Sequence, residues 1–332
     1  MKAGTAEKTA ARAMGKYRKR GFILAFLTPC TILFLIVYAY PLITIFLTSF
    51  CKWNYENFTA PEFLGWANLF DNYIKLFRYD ANFKMALVNS LKWVALTLLI
   101  QVPFTILVAL TLSKKMRGWK FTRNMFLIPN IISTAAIGLI FLNLYSPARG
   151  IVTELCNLIW PGSDVSVLSN SKYAFWGVTF TFILFGGSNC LLLLTQIFSI
   201  DPAVYEAARI AGASDRQIDW YITLPLLRPM IGTISVMAAN YGLLLYNEIA
   251  LITSGGPDNA TYSLSYYIYK TSLGSTKLNF ARGNTAGVIQ FILGIVIVCL
   301  INRAFRSDTL HRSAFSWCES LKADESGGFL KK

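Results

Sequence analysis

What this chain lacks narrows it first. It has one histidine, His311, and six cysteines with no Cys-x-x-Cys spacing, so no metal-ligating cluster is spelled out. No Gly-x-x-x-x-Gly-Lys-Ser/Thr occurs, which removes the backbone cradle for nucleotide phosphates and excludes ATP hydrolysis by the chain itself. A nucleophile elbow and a paired-carboxylate arrangement are also missing, and the chain reads as a non-enzyme. Charge is scarce. Only 14% of its residues are Asp, Glu, Lys or Arg, against about a quarter in soluble domains.

Apolar residues take the place of the missing charge: they make up 55% of the 332 residues, and the mean hydropathy is +0.48. They gather in long runs at 22–50, 86–113, 121–143, 173–199, 229–253 and 285–305. Each run is long enough to cross ~30 Å of hydrocarbon as a helix rising about 1.5 Å per residue. Pro29, Pro41, Pro103, Pro129 and Gly186-Gly187 fall inside them, which membrane helices tolerate where neighbours satisfy the freed backbone groups. The first run is too long for a signal-peptide core and carries no small-x-small cleavage site. The alternating ten-residue strands of a membrane barrel are not visible. The expected fold is all-α and integral to the membrane, with six transmembrane helices.

The net charge is +14, and its placement says more than its size. Residues 1–21 hold seven Lys or Arg against Glu7 alone, and the 114–123 loop holds Lys114, Lys115, Arg117, Lys120 and Arg123 with no acid. Loops 51–85 and 144–172 are balanced. The positive-inside rule then puts both termini, the 114–123 loop and the 201–225 loop on the cytoplasmic side of a cell membrane. Because the cations border membrane spans instead of forming one face, they point to the lipid bilayer and not to nucleic acid. Cys51 and Cys156 share the expected outer side, where a disulfide between them stays an open question.

Residues 201–225 are a polar helical stretch between two apolar runs. Asp201 suits an N-cap and Pro202 the first helical position, and Val204, Ala207, Ala208 and Ala211 make a narrow small-residue face. Gly212 ends that helix, Ser214 to Gln217 spells a capping box for a second one, and Leu224-Pro225 is expected to stop it. Glu206-Ala207-Ala208, Gly212 and Ile222-Thr223-Leu224-Pro225 together resemble the EAA loop of ABC-importer permeases. Many members carry Asp before the glycine, where this chain has Ala211. Phe63 to Asn68, Asn89-Ser90-Leu91 and Gly255-Gly256-Pro257 fall in the order seen in binding-protein-dependent sugar permeases of the maltose-transporter type. The likeness covers most of 22–305 and leaves out the basic segment 1–21 and the tail 306–332.

That resemblance implies a transporter subunit that pairs with a second EAA-type permease. It also implies two copies of an ATPase that bind ATP and magnesium, an extracellular solute-binding protein, and a sugar or oligosaccharide as cargo. No cofactor is expected in this chain. Glu206, Ala207, Ala208, Gly212, Leu224 and Pro225 would form the contact with the ATPase.

Polar groups inside spans are costly and default to a pathway reading. Phe185, Ser188 and Asn189 flank an expected helix interruption at Gly186-Gly187, and Tyr241, Asn247 and Glu248 offer a ring face and hydrogen-bonding groups in the fifth span. Phe185 and Ser188 match positions that line the sugar site in the maltose-type family. Interhelical hydrogen bonding is the alternative for each of these residues. An ABC importer for another solute, such as glycerol phosphate esters or a polyamine, also stays open. So does a stand-alone secondary transporter, although the chain shows no internal repeats or buried acid pairs for ion coupling.

Overall fold

A computed structural model describes residues 23, 25–146, 150–159, 167–184, 186–274 and 277–305. The basic segment 1–21 and the tail 306–332 lie outside the described residues. The elements in chain order begin with α1 (Ala25–Thr48), a two-stranded ribbon of β1 (Cys51–Lys52) and β2 (Glu62–Phe63), α2 (Asp71–Tyr79) and α3 (Ala81–Ser113). They continue with α4 (Trp119–Ile131), α5 (Thr134–Leu144), α6 (Ile151–Ile159), α7 (Ser171–Phe180), α8 (Gly187–Phe198) and α9 (Pro202–Ile210). The last are α10 (Asp215–Leu243), α11 (Leu264–Ser272) and α12 (Phe280–Phe305).

Among the described residues, α1, α3, α10 and α12 are long and apolar enough to cross a membrane alone. Two bent pairs, α4 with α5 at 98° and α8 with α9 at 69°, raise the number to as many as six. The third apolar run is therefore broken, although its sequence reads as continuous. Ile132 and Ser133 are extended, and the Ser133 hydroxyl accepts from the Ala136 amide at 3.2 Å to start α5. The fourth run is divided between α7 and α8, with the turn residues 181–184 and Gly186 described between them. The fifth differs at both ends: α10 begins at Asp215 and stops at Leu243, and a separate wide turn covers Ile249–Thr253.

Pro225 does not stop a helix, contrary to the expectation from sequence. The chain runs without a break from Asp215 to Leu243. A proline ring collides with the carbonyl four residues back and donates no hydrogen bond. Here the preceding turn, Asp219–Thr223, widens to π geometry, and the Leu224 amide reaches back five residues to the Asp219 carbonyl. Pro41 and Pro103 follow the same pattern, behind π turns at Leu35–Ala39 and Thr97–Gln101. A widened turn makes room for the ring and keeps the helix in one piece.

Two apolar clusters form the interior. One joins Phe83, Trp93, Val178, Leu243 and Leu264, and the other joins Leu110, Leu193, Leu227 and Ile234. Helix α8 packs on α3 and α10, α3 on α10, and α12 on α10, α11 and α1. The window of α1 that passes for a span has none of its residues buried, so its apolar side chains are left for lipid or another chain.

The Asn-Ser-Leu and Gly-Gly-Pro segments, far apart in sequence, meet. Asn89 donates to the carbonyls of Ala260 (2.8 Å) and Tyr262 (3.0 Å), and the Ser90 hydroxyl accepts from the Leu264 amide at 2.9 Å. Both side chains are buried, so these bonds hold the loop after Gly255-Gly256-Pro257 against the start of α3. Asn89→Ala strands two buried carbonyls and is expected to cost about 1–3 kcal/mol. Thermal unfolding of the purified chain should show a lower midpoint for it, and none for the exposed Leu91→Ala.

Candidate functional site

A cavity of about 290 Å³, lined by polar and apolar side chains alike, borders both apolar clusters. Ser188, Asn189, Tyr241 and Glu248, singled out in the sequence for their polarity, all line it. Asn247 stands just behind, and its amide donates to the hydroxyl of the lining residue Thr134 at 3.3 Å. Phe185 lies outside the described residues. Gln101, Asn130, Thr134 and Thr181 also face the cavity, and sequence reasoning did not select them. Gln101 carried a signal, as a lone amide between Ile100 and Val102-Pro103 in an apolar run.

Thr181, Phe182 and Gly186, between α7 and α8, give the cavity one wall. A side chain at Gly186 would put its Cβ 2.3 Å from the Thr105 hydroxyl, and one at Gly187 would sit 2.5 Å from the Phe126 carbonyl. Only glycine lets this broken backbone come so close to α3 and α4. The approach leaves Ser188 and Asn189 in the first turn of α8, where the Ser188 hydroxyl bonds the Asn130 side-chain oxygen at 3.1 Å.

The groups around the cavity are only partly satisfied. Glu248, 5% exposed, accepts from the Tyr241 hydroxyl and has no ion-pair partner among the described residues. Gln101, 4% exposed, donates to the Phe182 carbonyl at 3.3 Å, and its own side-chain oxygen is buried without a partner. Asn189, half-buried, makes no hydrogen bond to the described residues. A buried oxygen left unpaired costs about 1–3 kcal/mol, so such a wall suits a ligand or water with hydroxyls to offer.

At the α3 C-terminus and the start of α10, the 201–225 segment folds as an elbow. Asp201 caps α9 by accepting from the Ala203 amide at 2.9 Å. Gly212 has φ +83°, and the Ala213 amide reaches the Ala208 carbonyl at 3.0 Å, which closes the helix end. Ser214 and Gln217 form the reciprocal capping box that opens α10. The small face is free: Val204, Ala207 and Ala211 are exposed and Ala208 is half-exposed. Beside them Ile210 (89% exposed), Trp220 and Tyr221 project outward. Glu206 is exposed, with no ion pair among the described residues. Leu224 and Pro225 lie within α10, beyond the π turn. Lys114 ties the end of α3 to this corner through Asp219, at 2.7 Å.

Comparison with known proteins identifies the family and the fold. The family of binding-protein-dependent transport system inner membrane components matches residues 101–307, and the chain belongs to that family. It is thus a multi-pass membrane component of a transport system. The multiple sugar-binding transport system permease protein MsmF of Streptococcus mutans is 28% identical over 280 residues, 83% of this chain and 92% of its own length. The arabinooligosaccharides transport system permease protein AraP of Bacillus subtilis is 28% identical over 292 residues, 86% of this chain and 88% of its own. A bacterial ABC transporter involved in the import of the acidic polysaccharide alginate shares the fold. It has a TM-score of 0.71 at 25% identity, over 90% of this chain and 99% of that one.

The contacts separate two asparagines that look alike in sequence. Asn189→Leu removes no internal bond, so stability should hold within about 0.5 kcal/mol. Uptake should fall three- to tenfold, the loss of one hydrogen bond of about 0.5–1.5 kcal/mol. Asn247→Leu breaks the link to Thr134 and should lower the unfolding temperature as well. Uptake per folded complex, measured beside thermal stability, checks both.

Proposed function

We propose that this chain is one permease subunit of an ATP-driven importer of sugars or oligosaccharides. It would pair with a second permease of the same kind, two ATPase subunits and a solute-binding protein. The named relatives that carry sugars support the cargo class, as do the amide, hydroxyl and ring groups around the cavity. In this reading the cavity is part of the path, and its side chains hold sugar hydroxyls in passing. The chain needs no cofactor of its own: ATP and magnesium belong to the ATPase. With both termini and the elbow on the cytoplasmic side, the elbow faces the ATPase.

One observation carries the mechanism: α10 runs from the elbow to the cavity without a break, with Asp219 at one end and Tyr241 at the other. Twenty-odd helical residues at about 1.5 Å each make a strut of roughly 30 Å. A push on the elbow would therefore reach the cavity wall as a rigid-body movement, and alternating access needs nothing more from this chain. The ATPase would seat the exposed small face of α9, with Glu206 set against a cation of its cleft.

Glu206→Lys is expected to leave the chain folded, because Glu206 has no internal partner to lose. Reversal of the charge should cut uptake about tenfold or more, a coupling loss of roughly 1.4 kcal/mol. Co-purification with the ATPase and uptake by the full complex test this. Wild-type values for both would show Glu206 to be an ordinary solvated charge.

A further inference from the structure

The walls of the cavity are uneven in charge. Among the described side chains that line it, Glu248 is the only acid, and there is no Lys, Arg or His. Tyr241 donates to one oxygen of that carboxylate, and no cation of the described chain lies within ion-pair distance of it. The remaining polar groups, Gln101, Asn130, Thr134, Thr181, Ser188 and Asn189, are neutral amides and hydroxyls. The unpaired, buried oxygen of Gln101 adds another acceptor and no donor.

We infer that the cavity selects its saccharide by charge, admitting neutral or amino sugars and rejecting anionic ones such as uronates and sulfo- or phosphosugars. This rests on the carbohydrate reading above and narrows it. A buried carboxylate or sulfonate must be paired, and this wall offers it no cation. It would also meet the Glu248 carboxyl group in surroundings that screen charge poorly. A sugar hydroxyl or ammonium instead brings Glu248 and Gln101 further donors, which their oxygens can accept. The fold alone does not set this preference, since the alginate importer that shares it is described as carrying an acidic polysaccharide.

The test uses the purified permease–ATPase complex without its binding protein, so that only the membrane path selects. The complex is dialysed against an equimolar pool of neutral dextrin and xylan oligosaccharides, chitosan oligomers and galacturonate oligomers. Retained species are then identified by mass spectrometry. Neutral or amino oligomers should be retained, with galacturonates at the level of the bulk solution. Glu248→Gln should raise the ratio of galacturonate to neutral retention about tenfold. Ser188→Lys, which adds a cation at an exposed position on the cavity wall, should raise it in the same direction and guards against misfolding of the first variant. Galacturonate retention by the wild-type complex equal to that of the neutral oligomers would overturn the charge rule. So would an unchanged ratio in both variants. If nothing in the pool is retained, the carbohydrate reading fails, a result that differs visibly from galacturonate retention.

Discussion

In hydrocarbon, a backbone amide or carbonyl has no water to bond and must find its partner within the protein. The whole architecture follows from that demand. At Pro41, Pro103 and Pro225 the turn before the proline widens by one residue and the helix stays whole. Where a helix does end inside the apolar body, side chains take over. Gln290 donates to the Leu243 carbonyl at 3.0 Å at the end of α10, and Gln101 to the Phe182 carbonyl in the break between α7 and α8. Between α7 and α8, Thr181, Phe182 and Gly186 border the polar cavity, where irregular backbone can be solvated or bound.

The same demand gives the molecule its working part. Because the π turn at Asp219–Thr223 absorbs Pro225, the elbow and the cavity wall belong to one helix. A stop at Pro225 would have put a flexible joint between them. The Lys114–Asp219 pair and the packing of α8 on α3 and α10 tie the corner to its neighbours, as the proposed rigid-body movement of α10 requires. The cavity lies where the two apolar clusters meet, at the far end of that body.

Much of this was legible from residue types. Apolar runs located the helices, and the rule that polar groups in spans need a reason found Ser188, Asn189, Tyr241 and Glu248. The elbow could be read almost bond by bond, since Asp201, Gly212 and Ser214 act through local geometry. Other features could not be read. The break at Ile132-Ser133 has an N-cap for a signal, but serine and threonine inside spans commonly bond their own backbone, as Thr111 does to Leu107 at 2.8 Å. Thr134 and Thr181 went unselected for that reason. Pro225 was misread because the π turn that accommodates it has no composition of its own.

The central claim is that elbow and cavity move as one body through α10. Intrachain spin-label distances between Ile210 and Leu244, both exposed, measure it directly in the assembled transporter with and without trapped nucleotide. The account predicts the same separation in both states while the elbow shifts relative to the partner permease. A change of about 5 Å or more within the chain, close to one helical turn, would contradict it.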